Sequence, residues 1–477
     1  MKSLRVLLIV PPNDNLLKKI LGVGGPPLGI GYLGAYLKKA GHEVKLIDGL
    51  IEDYSEETLR RKIKEFSPQI VGISVLTATL YRGYAIAQLV KEIDSNIKTI
   101  IGGPHVTFLP EETLSECPYL DFVVLGEGEE TILELTNELA KPNPQLESIK
   151  GITWRKNNGE IVTNQLRPLI ENLDSIPFPA YELLPMDKYR IGKKIHIGTM
   201  ITSRGCPFGC IFCSSSALFG KRWRGRSPEN VVDEMEILIK KYGINDIEIL
   251  DDTFTLNRPR AIKIAELIKK RHLNHISWTC TSRVDTFDAN LATALKEAGC
   301  YRVYMGIESG SQKSLDTINK GITVEKAKSA VNIARTVGLE VIGSFIIGIP
   351  GETKKDIIET IKLARKLRIA YAQFTILTPY PGTPIFDYAV KNNLLITRNW
   401  SNYGILDSVM KVPNFTTEEL TKYIRRAYIS FYLNPHFWWE QIIHGRMDFI
   451  IRVIKGFLKA RWKPPKAEEK SAYKLTN

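Results

Sequence analysis

The sequence predicts an α/β protein: an N-terminal doubly wound parallel sheet, an open partial barrel of about six βα units, and a helical C-terminal tail. Three observations carry that reading. Short apolar runs alternate with helical periodicity from residue 5 to about 140, and the alternation resumes after residue 195. A proline-punctuated stretch separates the two series. The second series holds fewer strands than the eight that close a barrel. A chain of 477 residues suits two or three domains. The boundaries fall at 1–140, 141–194 (a connector), 195–400 and 401–477.

In the first part, Arg5 to Val10 is short and apolar, as a buried parallel strand is. Leu28 to Ala40 has helical periodicity and stops at Gly41. Further strands are predicted at His42–Asp48, Ile70–Val75, Thr99–Gly103 and Phe122–Gly126, with helices such as Thr58–Phe66 and Tyr84–Ile93 between them. Ligands of such sheets bind beyond the carboxyl ends of the strands. Those ends read Asp48-Gly49, Ser74-Val75-Leu76-Thr77, Gly102-Gly103-Pro104-His105 and Gly126-Glu127-Gly128-Glu129. His105 reads as a polar loop histidine. In the connector, Gly151 to Trp154 followed by Asn157-Asn158-Gly159 predicts a hairpin.

The barrel strands are predicted at Ile195–Thr202, Ile247–Leu250, Ile276–Cys280, Arg302–Met305, Glu340–Ile346 and Ala372–Ile376. Between the first two lies a helix over Pro228–Tyr242, with Ser227 as its N-cap and Pro228 at the first helical position. Tyr301, Tyr304, Tyr371 and Tyr380 lie in or near these strands and read as core packing.

Within the barrel, Ser203-Arg204-Gly205-Cys206-Pro207-Phe208-Gly209-Cys210-Ile211-Phe212-Cys213 sets three thiols on one glycine-bearing loop. Gly205 and Gly209 relax the backbone so that the thiols can face a common centre. Such a triplet suits zinc or an iron–sulfur cluster. A structural zinc site wants a fourth ligand, and no Cys or His follows nearby. A cubane held by three cysteines leaves one iron open.

The spacing, with Phe212 before the third cysteine, resembles the radical S-adenosylmethionine (radical SAM) family. The resemblance implies that Cys206, Cys210 and Cys213 hold a 4Fe-4S cluster and that S-adenosyl-L-methionine is the cofactor cleaved to a 5′-deoxyadenosyl radical. It also implies roles at the strand ends. Asp251 and Asp252 stand where the cofactor's amino group is held, and Arg283 where its carboxylate pairs. Glu308 stands where ribose or the amino acid end is contacted, and Ile346 touches adenine. Residues 344–352 are similar to the family's Gly-x-Ile-x-Gly-x-x-Gly-Glu motif, with Ser344 in place of the first glycine. The N-terminal domain resembles the cobalamin-binding domain that precedes many radical SAM domains, with Ser74, Leu76, Gly102 and Gly103 receiving the cofactor's tail. The signature that supplies a lower axial histidine is absent from Asp48 to Asp53.

The implied activity is cobalamin-assisted methyl transfer to an unactivated carbon of a small or lipid-like substrate. The alternative is ring or carbon–carbon bond formation on a lipid or tetrapyrrole-like substrate. A reducing donor such as a flavodoxin or ferredoxin is implied as partner. Nucleic acid is not: tRNA methylthiolation needs more cysteines in the N-terminal domain, where only Cys117 occurs, and an RNA-binding β-barrel at the C-terminus. Six cysteines clustered this way point to a reducing compartment, and no apolar run is long enough to span a bilayer. The expected location is cytoplasmic. The +13 net charge does not choose among acidic partners. In the tail, Ile443, Met447, Ile450, Ile454 and Phe457 share one helical face, with Arg452, Lys455 and Lys459 opposite. That pattern suits either a helix packed on the barrel or one lying peripherally on the inner face of a membrane.

Overall fold

A computed structural model describes residues 2–12, 24–156, 158–192, 194–435 and 437–439. The first sheet contains β1 (Arg5–Val10), β2 (Glu43–Asp48), β3 (Ile70–Ser74), β4 (Lys98–Gly102) and β5 (Phe122–Val124), all parallel. Two antiparallel strands follow, β6 (Ile152–Arg155) and β7 (Ile161–Thr163). The order is β2-β1-β3-β4-β5-β6-β7. The connector hairpin is thus built into the first sheet. Strand order reverses between β1 and β3, which places the ligand crevice beyond their carboxyl ends.

The second sheet runs from β8 (Arg190–Ile191) and β9 (Ile195–Met200) to β12 (Asp246–Ile249), β13 (Ser277–Ser282), β14 (Cys300–Glu308), β15 (Glu340–Ile347) and β16 (Tyr371–Ile376). A separate two-residue ladder, β10 (Ser203–Arg204) with β11 (Arg224–Gly225), lies between β9 and β12 in sequence. Six strands are parallel, and β8 adds one antiparallel turn at the β9 edge. The helix Pro228–Tyr242 begins as its sequence dictates: the Ser227 side chain accepts from Asn230 N, and Gly243 ends it at φ 65°.

Each face of this sheet has its own character. On β14 the outward residues Val303, Met305 and Ile307 are fully buried under helices, while Arg302, Tyr304 and Gly306 are partly exposed. On β16 the same alternation buries Ala372, Phe374 and Ile376 and leaves Gln373 and Thr375 partly open. The concave face is therefore a solvent-accessible lumen.

The β16 edge is covered by the helix Thr417–Tyr432. Tyr428 Oη donates to Phe374 O at 2.8 Å and accepts from Phe374 N at 3.3 Å, and Tyr432 Oη donates to Ala372 O at 2.9 Å. These bonds satisfy backbone groups that an edge strand otherwise offers to another chain. Just before that helix, Trp400, Tyr403 and Val409 return to the first domain and join its core. Trp438 donates to Tyr432 O, Phe437 packs on Phe431 and Tyr432, and Trp439 is exposed. The amphipathic stretch over 440–462 lies outside the described residues.

Candidate functional site

The cysteine loop leaves β9 over the carboxyl end of the second sheet and is closed by the β10–β11 ladder. Gly205 makes the turn at φ 88°, and a Cβ there would lie 2.4 Å from Arg222 O. Only glycine fits. The loop is then pinned along its length. Cys206 N donates to Gly220 O, Cys213 N to Cys210 O, Ile211 N to Ile318 O, and Ile385 N to Ile211 O. Asn319 Nδ2 donates to Gly209 O at 2.9 Å.

All three cysteines are unbridged, Cys210 buried and the other two partly exposed. Desolvation pushes the Cys206 thiol up, and the Cys213 thiol up to about 11, with the charge of Asp252 adding to both. Thiolates here need a compensating positive charge. Arg283 supplies some of it: its Nη1 lies 3.9 Å from Cys210 Sγ, and its guanidinium stacks 3.5 Å from the Phe208 ring centroid. The guanidinium is itself fixed by two bonds to Asp285, at 3.0 and 3.1 Å, and one to Lys320 O at 2.8 Å. Among the described residues no group of His, Cys, Asp and Glu converges on one ion. A cubane fits this donor set better than zinc, because its three thiolates bind three different irons.

The two aspartates after β12 differ. Asp251 is buried and both its oxygens are occupied, accepting from Thr202 N, Thr202 Oγ1 and Ser203 Oγ, each at 2.6 Å. It holds the root of the cysteine loop. Asp252 is exposed at the rim.

Glu308 ends β14 at φ 64°, where its Oε1 pairs with Lys320 Nζ at 2.6 Å and its Oε2 accepts from Ser344 Oγ at 3.2 Å. Ser344, which departs from the glycine of the family motif, therefore serves Glu308. Gly306 leaves room for this pair, since a Cβ there would lie 2.6 Å from Lys320 Nζ. Lys320 also stands 5.8 Å over the Phe212 ring, beside Cys213. Lys320 has one local signal in the sequence, the Asn319-Lys320-Gly321 turn, with φ 50° at Asn319 and 68° at Gly321. Glu352 does not face the mouth. It is buried, accepting from Gly348 N, Ile349 N and Ser314 Oγ. Ile346 lies on β15 beside Thr375 and is almost buried.

In the first domain, Ser74 and Gly102 are register partners at the ends of β3 and β4. Leu76 follows on the switch-point loop and is 49% exposed, an apolar side chain presented to the crevice. Gly103 has φ 120°, and a Cβ there would meet Val75 O at 2.1 Å, so the fold itself requires glycine. At Gly102 the nearest atom to such a Cβ is Val124 O at 3.6 Å, an ordinary contact. His105 is buried, bonded to Thr77 and edge-on to Trp400 at 4.7 Å, and burial lowers its pKa to about 4. It is a neutral core histidine.

Glu127 and Glu129, expected at a ligand-facing strand end, point into the interface between domains. Glu127 pairs with Arg204 at 3.0 Å and Arg224 at 2.9 Å, and Glu129 also binds Arg204. All four side chains are buried, and they join the first sheet to the two strands that close the cysteine loop.

Comparison with known proteins agrees with this arrangement. The B12 binding domain family matches residues 19–136 and the Radical SAM superfamily residues 200–364. An uncharacterized methyltransferase of Pyrococcus horikoshii is 50% identical over 459 residues, covering 96% of this chain and 99% of the relative. The anaerobic magnesium-protoporphyrin IX monomethyl ester cyclase of Rubrivivax gelatinosus is 31% identical over 467 residues, covering 96% and 83%. Among solved structures, the radical S-adenosylmethionine methyltransferase TsrM of Kitasatospora setae, with cobalamin and a 4Fe-4S cluster bound, shares the fold. Its TM-score is 0.68 at 22% identity, over 82% of this chain and 75% of that one.

Proposed function

The chain belongs to the radical SAM family with an N-terminal cobalamin-binding domain, and on that premise we propose that it transfers a methyl group to an unactivated carbon. The observation that carries the reading is the pinned cysteine loop, set at the mouth of an open half-barrel with Arg283 against Cys210 and the Glu308–Lys320 pair beside Cys213. When bound, a 4Fe-4S cluster with S-adenosyl-L-methionine supplies a 5′-deoxyadenosyl radical, and cobalamin carries the methyl group.

The chain's own residues bind, orient and exclude water. Cys206, Cys210 and Cys213 ligate iron, and Arg283 offsets their negative charge. Phe208 and Phe212 shield the loop. Asp252 takes the cofactor's ammonium group, since Asp251 has no oxygen to spare. Glu308 accepts from a ribose hydroxyl with the lone pairs that Lys320 and Ser344 leave over. Ile346 lies against adenine. Ser74, Leu76 and Gly102 line the tail of cobalamin, while Gly103 keeps the turn that shapes its crevice.

A flavodoxin or ferredoxin in the cytoplasm is the proposed reductant. No helix among the described residues is long and apolar enough to cross a membrane. The tail adds a proposed peripheral contact with the inner membrane face, and its basic stretch lies beyond the described residues. Ring formation is the second reading, favoured by the cyclase relative.

Purified without oxygen, the protein is expected to hold about four irons per chain. Replacing Cys206, Cys210 and Cys213 together with Ala should remove the iron and abolish deoxyadenosine formation. Iron retained at the wild-type level overturns the assignment. A labelled methyl group passing from S-adenosylmethionine into the product separates transfer from ring closure.

A further inference from the structure

We propose that the lumen of the half-barrel receives a small, water-soluble substrate bearing hydroxyl or amide groups, read by Tyr304 and Gln373, in place of a hydrocarbon chain. This inference rests on the radical SAM reading and adds the substrate class.

The side chains that face the lumen are polar at most positions: Glu248, Thr281, Tyr304, Ser344, Gln373 and Thr375 are all partly exposed. The apolar residues on the same face offer little surface at this depth. Ile342 and Ile346 are each 6% exposed, and Leu250 stands at the rim. A hydrocarbon placed here would strip water from polar groups and gain little apolar contact in return.

Most of these polar groups are already committed. Thr281 Oγ1 donates to Asp251 O at 2.6 Å, Ser344 Oγ to Glu308 at 3.2 Å, and Thr375 Oγ1 to Phe345 O at 3.4 Å. Tyr304 and Gln373 differ: among the described residues neither the Tyr304 hydroxyl nor the Gln373 amide has a hydrogen-bond partner. Both lie on the concave face of the sheet and are partly exposed. Gln373 is level with Ser344 and Gly306, two residues below Glu308. Tyr304 lies two residues deeper, so the pair sits roughly 7 and 13 Å below Glu308 at about 3.3 Å per residue. Glu308 is the proposed cofactor contact, which puts both side chains directly beneath the reacting end of the site.

Below Tyr304 lies a layer of large side chains. Arg302 lies between the rings of Tyr301 and Tyr371, at 4.9 and 4.7 Å, and binds Glu340 at 2.7 Å. This floor excludes a long chain threading through the barrel. The occupant is therefore short as well as polar.

The test uses the reconstituted holoenzyme, S-adenosylmethionine carrying a deuterated methyl group, and two extracts of the source cells: the water-soluble metabolites and the lipids taken up in organic solvent. The label is expected in a water-soluble compound. With that compound as probe, Tyr304→Phe and Gln373→Leu should each raise KM about fivefold, the loss expected for one hydrogen bond to a neutral group. The change in kcat should be smaller, and thermal midpoints should stay at the wild-type value. Label confined to the lipid extract overturns the inference and leaves methyl transfer standing. Label in neither extract, with deoxyadenosine still formed, overturns it as well, as does an unchanged KM in both variants. Absence of deoxyadenosine from every reaction overturns the radical SAM reading and this inference with it.

Discussion

Glu308 and Glu352 are both buried acids at strand ends, and their surroundings give them opposite roles. Glu308 meets a lysine, Lys320, and holds a left-handed backbone that costs a non-glycine residue about 1 kcal/mol. Such strain accords with the cofactor contact proposed for it. Glu352 meets only neutral donors, and burial pushes its pKa from 4.5 up to about 7. The folded state therefore keeps a proton to near neutrality that the unfolded chain releases near pH 4.5. The stability this adds is complete below pH 4.5, declines as pH rises, and is gone above about 7. A shift of this size corresponds to roughly 3 kcal/mol. Glu352→Gln keeps an acceptor oxygen and cannot ionise. Relative to wild type, its stability in urea should rise by up to about that amount between pH 4.5 and 8. A difference that does not vary with pH means that Glu352 is ionised throughout.

At the scale of elements, two adjacent glycines that the sequence presents as equivalents do separate jobs. Gly103 serves the turn from β4 into the helix Pro104–Phe108, where any side chain meets the Val75 carbonyl. Gly102 has room for a side chain, and its proposed part is to line the crevice. Gly103→Ala should lower thermal stability whether or not cobalamin is present. Gly102→Leu should leave the apo protein's melting temperature within a degree or two and reduce the cobalamin retained, measured by absorbance after gel filtration. Cobalamin retained in full by Gly102→Leu places the tail elsewhere. The cysteine loop shows the same logic: Gly205 obeys a backbone demand, whereas a Cβ at Gly209 would meet only a side-chain amide, Asn319 Nδ2, at 3.0 Å.

At the scale of the whole molecule, buried ion pairs join the two domains at the root of the cysteine loop. Glu127 is the hub, since it accepts from Arg204 and Arg224 and also from Ile170 N at 2.8 Å. Removing it leaves the buried Arg224 guanidinium without its carboxylate partner and Arg204 with Glu129 alone, a change that costs roughly 3–5 kcal/mol. Glu127→Ala should lower the urea midpoint accordingly and speed proteolysis in the 164–189 segment that runs between the sheets. It should also weaken iron retention, because Arg204 and Arg224 are register partners on the two strands that close the loop. Normal iron content at reduced stability would separate the interface from the cluster site. A second tie is apolar: Trp400 and Tyr403 return from the end of the barrel to the first domain's core.

By itself the sequence determined the alternation of strands and helices, the six parallel strands of the open barrel, the start of the helix Pro228–Tyr242 and the three cysteines of the loop. These are local properties, written in periodicity, capping residues and spacing. Tertiary structure alone decided which polar groups remain available. Asp251 and Asp252 are neighbours in sequence, yet Thr202 and Ser203, some 49 residues away, occupy the first and leave the second at the rim. Glu127 reads as a ligand-facing strand end until Arg224, 97 residues on, is folded against it. Lys320 reaches the site only because the helix Gln312–Thr317 and the turn after it bring the chain back onto Glu308. Tyr304 reads as core and lies on the lumen face, since a strand's period shows that two faces differ and not which one the helices cover. Long-range pairing settles each of these cases, and no local pattern records it.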